Sequence, residues 1–311
     1  MTKKIPLPIV GVILGLFALG NLIQTYSETL RLVLGGIGTV LLVLFLIRMF
    51  TNLNVFKEEM KNPVMASVFG TFSMALMLFA GYLKPYIGER AKFVYYLGII
   101  IHVIIIIYFT AKFIFNYDIK KVFASYYIVY VGIVVGSVVA PAFGAQKLGQ
   151  AFFWFGLISF IILLFTVNQR YMKVGHPDAP LAPLFCITCA PASLLLAGYM
   201  QSFEKKNLVL VYGLMIVSQL LYIFVLTKLP GYLKETKFFP SYAAFTFPFV
   251  ITGIGLKMAT GFLTKSGNIE KLGFLKAVLP KLVLIETIIA AILVIYALIR
   301  YIGHFVSTEA N

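Results

Sequence analysis

Charged residues are scarce in this chain. They make up 12% of its 311 residues, where a soluble domain carries about 25%. Acidic residues are scarcer still, 11 against 26 lysines and arginines, for a formal charge of +15. A soluble protein that basic would raise nucleic acid as a partner. Here the basic residues fall mostly between apolar stretches, so no basic face of a soluble fold exists, and that class is excluded. In such places they set membrane topology and meet anionic lipid. Two cysteines, Cys186 and Cys189, are too few for a four-ligand zinc site and lie inside an apolar stretch, where they read as buried small residues, with a functional thiol pair as the alternative. No histidine pair at helical spacing, aspartate-rich metal motif or Gly-x-Ser-x-Gly elbow occurs, so nothing points to an enzyme, a metal or a cofactor. No small-residue cleavage site follows the first apolar run, which reads as a retained helix.

What is abundant is apolar. Hydrophobic residues make up 61% and the mean hydropathy is +0.97, so the chain is a polytopic membrane protein. A membrane span needs about 20 apolar residues. Ten such stretches are expected, near 7–25, 29–50, 63–83, 90–115, 123–143, 148–169, 181–201, 208–229, 239–262 and 278–303. They predict an all-α fold in a single transmembrane domain over 1–311. With the amino terminus inside, fourteen basic residues (Lys3 and Lys4 among them) lie on the inner side and eleven on the outer, with Lys257 inside a stretch. This bias predicts that both termini are cytoplasmic.

The odd-numbered stretches start near 7, 63, 123, 181 and 239, a spacing of 56 to 60 residues. At an offset of 117, Pro63 matches Pro180, Thr71 matches Thr188, and Ala80-Gly81-Tyr82 matches Ala197-Gly198-Tyr199; Pro183/Pro191 and Pro240/Pro248 are both eight apart. Five tandem hairpins in a quasi-five-fold ring are implied. The odd stretches carry the breakers and small polar residues: Gly15; Thr71; Gly136; Thr188 and Pro191; Thr246, Pro248 and Thr252. The even stretches are more uniformly apolar, as in LGIIIHVIIIIYF. Cavity-lining helices need close packing and occasional polar groups, and lipid-facing ones do not, so the odd helices are placed inside around a central pore. Pro248, in the middle of Phe239–Phe262, has no N–H and should kink the ninth helix.

The run Gly11-Val-Ile-Leu-Gly-Leu-Phe-Ala-Leu19, Asn62-Pro63 opening the third stretch, and Phe245-Thr-Phe-Pro248 in the ninth resemble the tellurite-resistance/dicarboxylate transporter family, TehA-like proteins and slow-type anion channels included. The resemblance implies a five-helix pore inside an outer ring, a homotrimer with one pore per protomer, and a phenylalanine on the ninth helix that occludes the pore. That residue matches Phe247, with Phe245 as the fallback. The two lie about 200° apart on a helix, so only one faces the axis. Two positions depart from the family pattern: Ile13, and the Ser125-Tyr-Tyr-Ile-Val129 run, where a proline is usual.

Lys257 and Glu286 are the clear intramembrane acid–base candidates. They read as a structural pair across the last hairpin, or Lys257 serves as a vestibule charge that draws anions in. His102, on an even helix, reads as a histidine bonded to a neighbour, ahead of a proton relay or a metal ligand. The expected function is an anion channel in the cell membrane. The alternative is a secondary transporter exporting C4-dicarboxylate, sulfite or tellurite-related anions, possibly proton-coupled.

Overall fold

The computed structural model describes residues 5–309; Lys3 and Lys4, on which the amino-terminal topology expectation leans, lie outside them. Every regular element among the described residues is helical. In order these are α1 (Ile9–Ile23), α2 (Glu28–Thr51), α3 (Leu53–Glu59), α4 (Pro63–Ile87), α5 (Ala91–Phe109), α6 (Tyr126–Tyr130), α7 (Val135–Val139), α8 (Gln146–Val174), α9 (Ala190–Ser202), α10 (Leu208–Leu233), α11 (Phe247–Lys265) and α12 (Leu275–Glu309). Among the described residues, seven helical stretches are long and apolar enough to cross a membrane. One of them, Pro63–Ile114, holds both α4 and α5, whereas Ile9–Ile23 and Gly132–Phe143 are shorter apolar helices.

Local chemistry sets the starts. Ser27 opens α2, its Oγ accepting the Leu30 N–H at 3.2 Å, with Glu28 in the positive first turn. Asn62 caps α4 by accepting from Val64 and Met65, ahead of Pro63, which has no N–H to lose at the first helical position. Asn207 repeats the device on Val209 and Leu210 of α10. Arg48 near the end of α2 is clamped to Glu59 of α3 at 2.5 Å.

Successive helices pack antiparallel. Gly38 of α2 lies against Phe17 of α1 while Arg31 lies against Gly20. His102 of α5 meets Ser73 of α4, and Gly98 meets Met77. On α8, Gly149 faces Ser137, Gly156 faces Val134, and Phe160 faces Tyr127. Tyr296 of α12 packs on Phe245, and Glu286 lies against Gly253 of α11. Laterally, α1 packs on α4 and α11, α4 on α6 and α7, α7 on α9, and α9 on α11. The members of this second set are mostly buried: residues 183–200 are wholly so. Helices α2, α5, α8, α10 and α12 each expose one apolar side, with Val40, Ile104, Phe165, Leu220 and Ile299 among the exposed residues. An apolar surface of that extent is one that lipid covers.

Three of the buried stretches are not continuous α-helices. Residues Ala182–Cys189 and Pro240–Phe245 are 3₁₀, and each gives way to an α-helix with proline in its first turn, Pro191 in α9 and Pro248 in α11. The expected kink at Pro248 is therefore a restart: Thr246 (φ −97°, ψ −94°) leaves the helical region, and the proline sits where a missing N–H costs nothing. The third interruption, at Gly132–Val134 between α6 and α7, has no proline at all.

Candidate functional site

Five segments converge on one cavity of about 170 Å³. Its lining includes Gly11 of α1, Thr71 and Met74 of α4, Ile128 of α6 with Gly132 just after it, Pro191 and Leu194 of α9, and Phe247 and Pro248 of α11. At one end Met65, Leu181 and Pro240 are partly exposed and Pro180 is exposed, whereas the deeper lining residues are buried. The wall is nearly all hydrocarbon. Thr71 turns its hydroxyl to the Val68 carbonyl at 2.8 Å, so even this residue offers little polarity.

The residues expected to line or kink the path divide. Thr71, Pro191, Phe247 and Pro248 line the cavity. Gly15, Gly136, Thr188, Thr246 and Thr252 do not; they pack between helices behind its wall. A Cβ at Gly15 would lie 2.5 Å from the Thr246 Cβ and 3.3 Å from the Phe247 nitrogen, so only glycine lets α1 reach the restart ahead of Phe247. Thr246 Oγ1 is 2.8 Å from the Gly11 carbonyl and 2.7 Å from its own Ala243 carbonyl, tying that restart to α1. Thr252 donates to the Pro248 carbonyl at 2.9 Å and accepts from Ser193 at 3.2 Å, joining α11 to α9. Gly136 presents its carbonyl to the Tyr95 hydroxyl at 2.8 Å, and Thr188 is buried with its hydroxyl unpartnered. Phe245 is fully buried on the opposite side of the chain from the cavity, against Tyr242 and Tyr296.

With this geometry in place, the comparison with known families is decisive: residues 4–308 match SLAC1, described as voltage-dependent anion channel. The chain belongs to the SLAC1 family. This is the tellurite-resistance/dicarboxylate transporter family that the sequence resembles, and its members carry anions as channels or transporters. No curated protein matches the chain.

In this SLAC1-family protein the two intramembrane charges do not meet, and the expected Lys257–Glu286 pair is corrected. Lys257 Nζ donates to the Leu22 carbonyl and to Thr25 Oγ1, both at 2.7 Å, and sits 4.9 Å from the centre of the Tyr26 ring. It caps the carboxyl end of α1, where unpaired carbonyls and the helix dipole favour a cation. Glu286 turns the other way. It is buried beside Gln219 and Tyr222 of α10, and neither carboxylate oxygen, nor the Gln219 Nε2, nor the Tyr222 hydroxyl has a formed hydrogen bond. Outside the spans, Lys206 donates to the Phe203 carbonyl at 2.6 Å, and burial pulls its pKa below the ordinary lysine value. Cys186 and Cys189 are free and buried, and Cys189 Sγ donates to the Cys186 carbonyl. Among the described residues no cluster of three His, Cys, Asp or Glu is placed to hold a metal.

Sequence reasoning missed most of the lining. Val68, Met74, Val131, Ile187 and Leu194 belong to it, yet each is an apolar residue in an apolar run. No motif separates such a residue from one facing lipid or a neighbouring helix.

Proposed function

We propose that the protein is an anion channel in the cell membrane, its path running through the apolar cavity and past Phe247. In this reading α1, α4, α6–α7, α9 and α11 form a quasi-five-fold inner ring, and α2, α5, α8, α10 and α12 an outer one, as five tandem hairpins. The resemblance adds a homotrimer with one pore per protomer, and the basic bias adds cytoplasmic termini. The whole chain, 1–311, acts as one transmembrane domain.

One observation carries the reading: a cavity with wall residues from all five inner segments, the Phe247 ring among them. Such a wall offers an anion no fixed cation, so the ion must shed water to pass, and a ring that excludes water there stops conduction. The test is purified protein in planar bilayers under asymmetric chloride, nitrate, malate and sulfite. Discrete conductance with reversal potentials that follow the anion gradients is the expected result.

Glu286 favours one rival. A buried acid with idle hydrogen-bond donors beside it is the kind of intramembrane group that transporters use. An exporter of dicarboxylate, sulfite or tellurite-related anions would give uptake that depends on a proton gradient, without conductance, and Glu286→Gln would abolish that dependence.

A further inference from the structure

His102 of α5 is completely buried, and its ring joins two segments of the inner set. Nδ1 lies 2.7 Å from Ser73 Oγ of α4, and Nε2 lies 3.0 Å from the Val129 carbonyl of α6. A carbonyl only accepts, so Nε2 carries the proton and Nδ1 accepts from the Ser73 hydroxyl, which has the Gly70 carbonyl at 2.8 Å as its other acceptor. Val129 belongs to the inner segment that breaks without a proline: α6 ends at Tyr130, Gly132–Val134 is 3₁₀, and α7 starts at Val135. At membrane depth, backbone near such a break keeps its polar groups satisfied only through neighbours. Two glycines make the slot for the ring. A Cβ at Gly132 would lie 3.0 Å from the imidazole Cε1, and one at Gly70 would lie 3.8 Å from it and 2.9 Å from Ile128 Cγ2. Ile128 and Gly132 line the cavity on one side, and Val68 and Thr71 of α4 on the next.

We propose that His102 is a positioning residue for the conduction path: by donating Nε2–H to the Val129 carbonyl while anchored on Ser73, it fixes the broken segment against α4 and so sets the width of the cavity between them. Among the described residues, no other side chain from these outer helices hydrogen-bonds to both walls. The role rests on the channel reading for its functional meaning, but its geometry is testable without transport.

Glutamine places its amide nitrogen where imidazole has Nε2, and asparagine where it has Nδ1. His102→Gln therefore keeps the bond to Val129, and His102→Asn keeps at most the bond to Ser73. A cysteine at Val131, a lining residue, is modified with a small methanethiosulfonate in detergent, with the protein lacking that cysteine as the blank. Losing the bond to a buried carbonyl should change the modification rate about tenfold in His102→Asn and His102→Leu, while His102→Gln stays within about twofold. Anion efflux from liposomes, measured in a Phe247→Ala background, should rank the variants in the same order. Equal labelling in the Gln and Asn variants overturns the proposal, and these two polar variants decide it even where the Leu variant does not fold. Labelling in the expected order, with no efflux from any Phe247→Ala protein, leaves the positioning role standing and sinks the channel reading instead.

Discussion

Phe247 and Phe245 are two residues apart and meet different surroundings. Phe247 lines the cavity as the first residue of α11, next to Pro248. Phe245 is fixed among Tyr242 and Tyr296 on the side of α12. Removing the Phe247 ring takes away the apolar plug and leaves helix packing elsewhere intact. Phe247→Ala should therefore raise anion current about tenfold or more, a barrier reduction of ~1.4 kcal/mol or greater, and Phe247→Leu should raise it less. Phe245→Ala should lower the melting temperature by the cost of a core cavity, roughly 3–5 kcal/mol, with little change in current. Patch-clamp recording and thermal melting of the same three proteins separate these outcomes; a silent Phe247→Ala that folds and reaches the membrane refutes the gate. Lys257 also changes meaning at this scale. Its ammonium is spent on Leu22 and Thr25, so Lys257→Met should cost about 1 kcal/mol of stability through the lost cap and leave anion preference alone. A shift in reversal potential would show that the ammonium leaves α1 to meet the ion. How far along their helices Lys257 and Glu286 lie was legible in the sequence, because helical rise converts residue count into length. Their azimuth was not, because it is set by the neighbours each side chain meets: the carbonyl end of α1 for the lysine, Gln219 and Tyr222 of α10 for the acid.

At the scale of elements, the expected apolar stretches fall on helices, but α8, α10 and α12 run on past 169, 229 and 303 to Val174, Leu233 and Glu309. Their interruptions were only partly legible. Prolines announced the restarts at α9 and α11, but not that the preceding turns are 3₁₀. The break at Gly132–Val134 carries no proline, and the Val129 carbonyl just before it accepts from His102, 27 residues earlier on another helix. The repeat misled in one place. Thr71 and Thr188 correspond at an offset of 117, yet Thr71 lines the cavity and Thr188 lies behind its wall. Thr188 belongs to a 3₁₀ run and Thr71 to an α-helix, so equal positions in the repeat turn to different azimuths. The contact between α1 and α11 depends on one missing methyl. At Gly15 a Cβ would sit 2.5 Å from that of Thr246, so Gly15→Ala must push α1 away from the Phe247 restart. The overpacking should cost roughly 1–3 kcal/mol, read as a lower melting temperature, and the displaced ring should alter basal current as well. Gly36 on α2, where an added Cβ would meet nothing within 4 Å, is the matched control: Gly36→Ala should change neither. Equal effects of the two substitutions would remove Gly15 from the gate's support.

For the whole molecule, the charge sits apart from the path. The chain carries +15, yet the cavity wall holds no charged residue. The two features should act on different quantities. Basic ends raise the local anion concentration at the mouths, an effect that reaches about 30 Å at 0.01 M salt and about 3 Å at 1 M. The apolar wall acts after entry, through the cost of stripping water, and salt does not screen that cost. Anion selectivity and anion throughput should therefore separate when ionic strength changes. Nitrate, which gives up water more readily than chloride, should be the more permeant at every salt concentration, and the nitrate-to-chloride permeability ratio should stay constant. Conductance at low salt should exceed what simple proportionality to concentration gives, and the excess should vanish near 1 M. Bi-ionic reversal potentials and single-channel currents of the Phe247→Ala protein, recorded across that range, measure both. A permeability ratio that collapses toward unity as salt rises would mean that selection is electrostatic, and a fixed cation would then have to line the path.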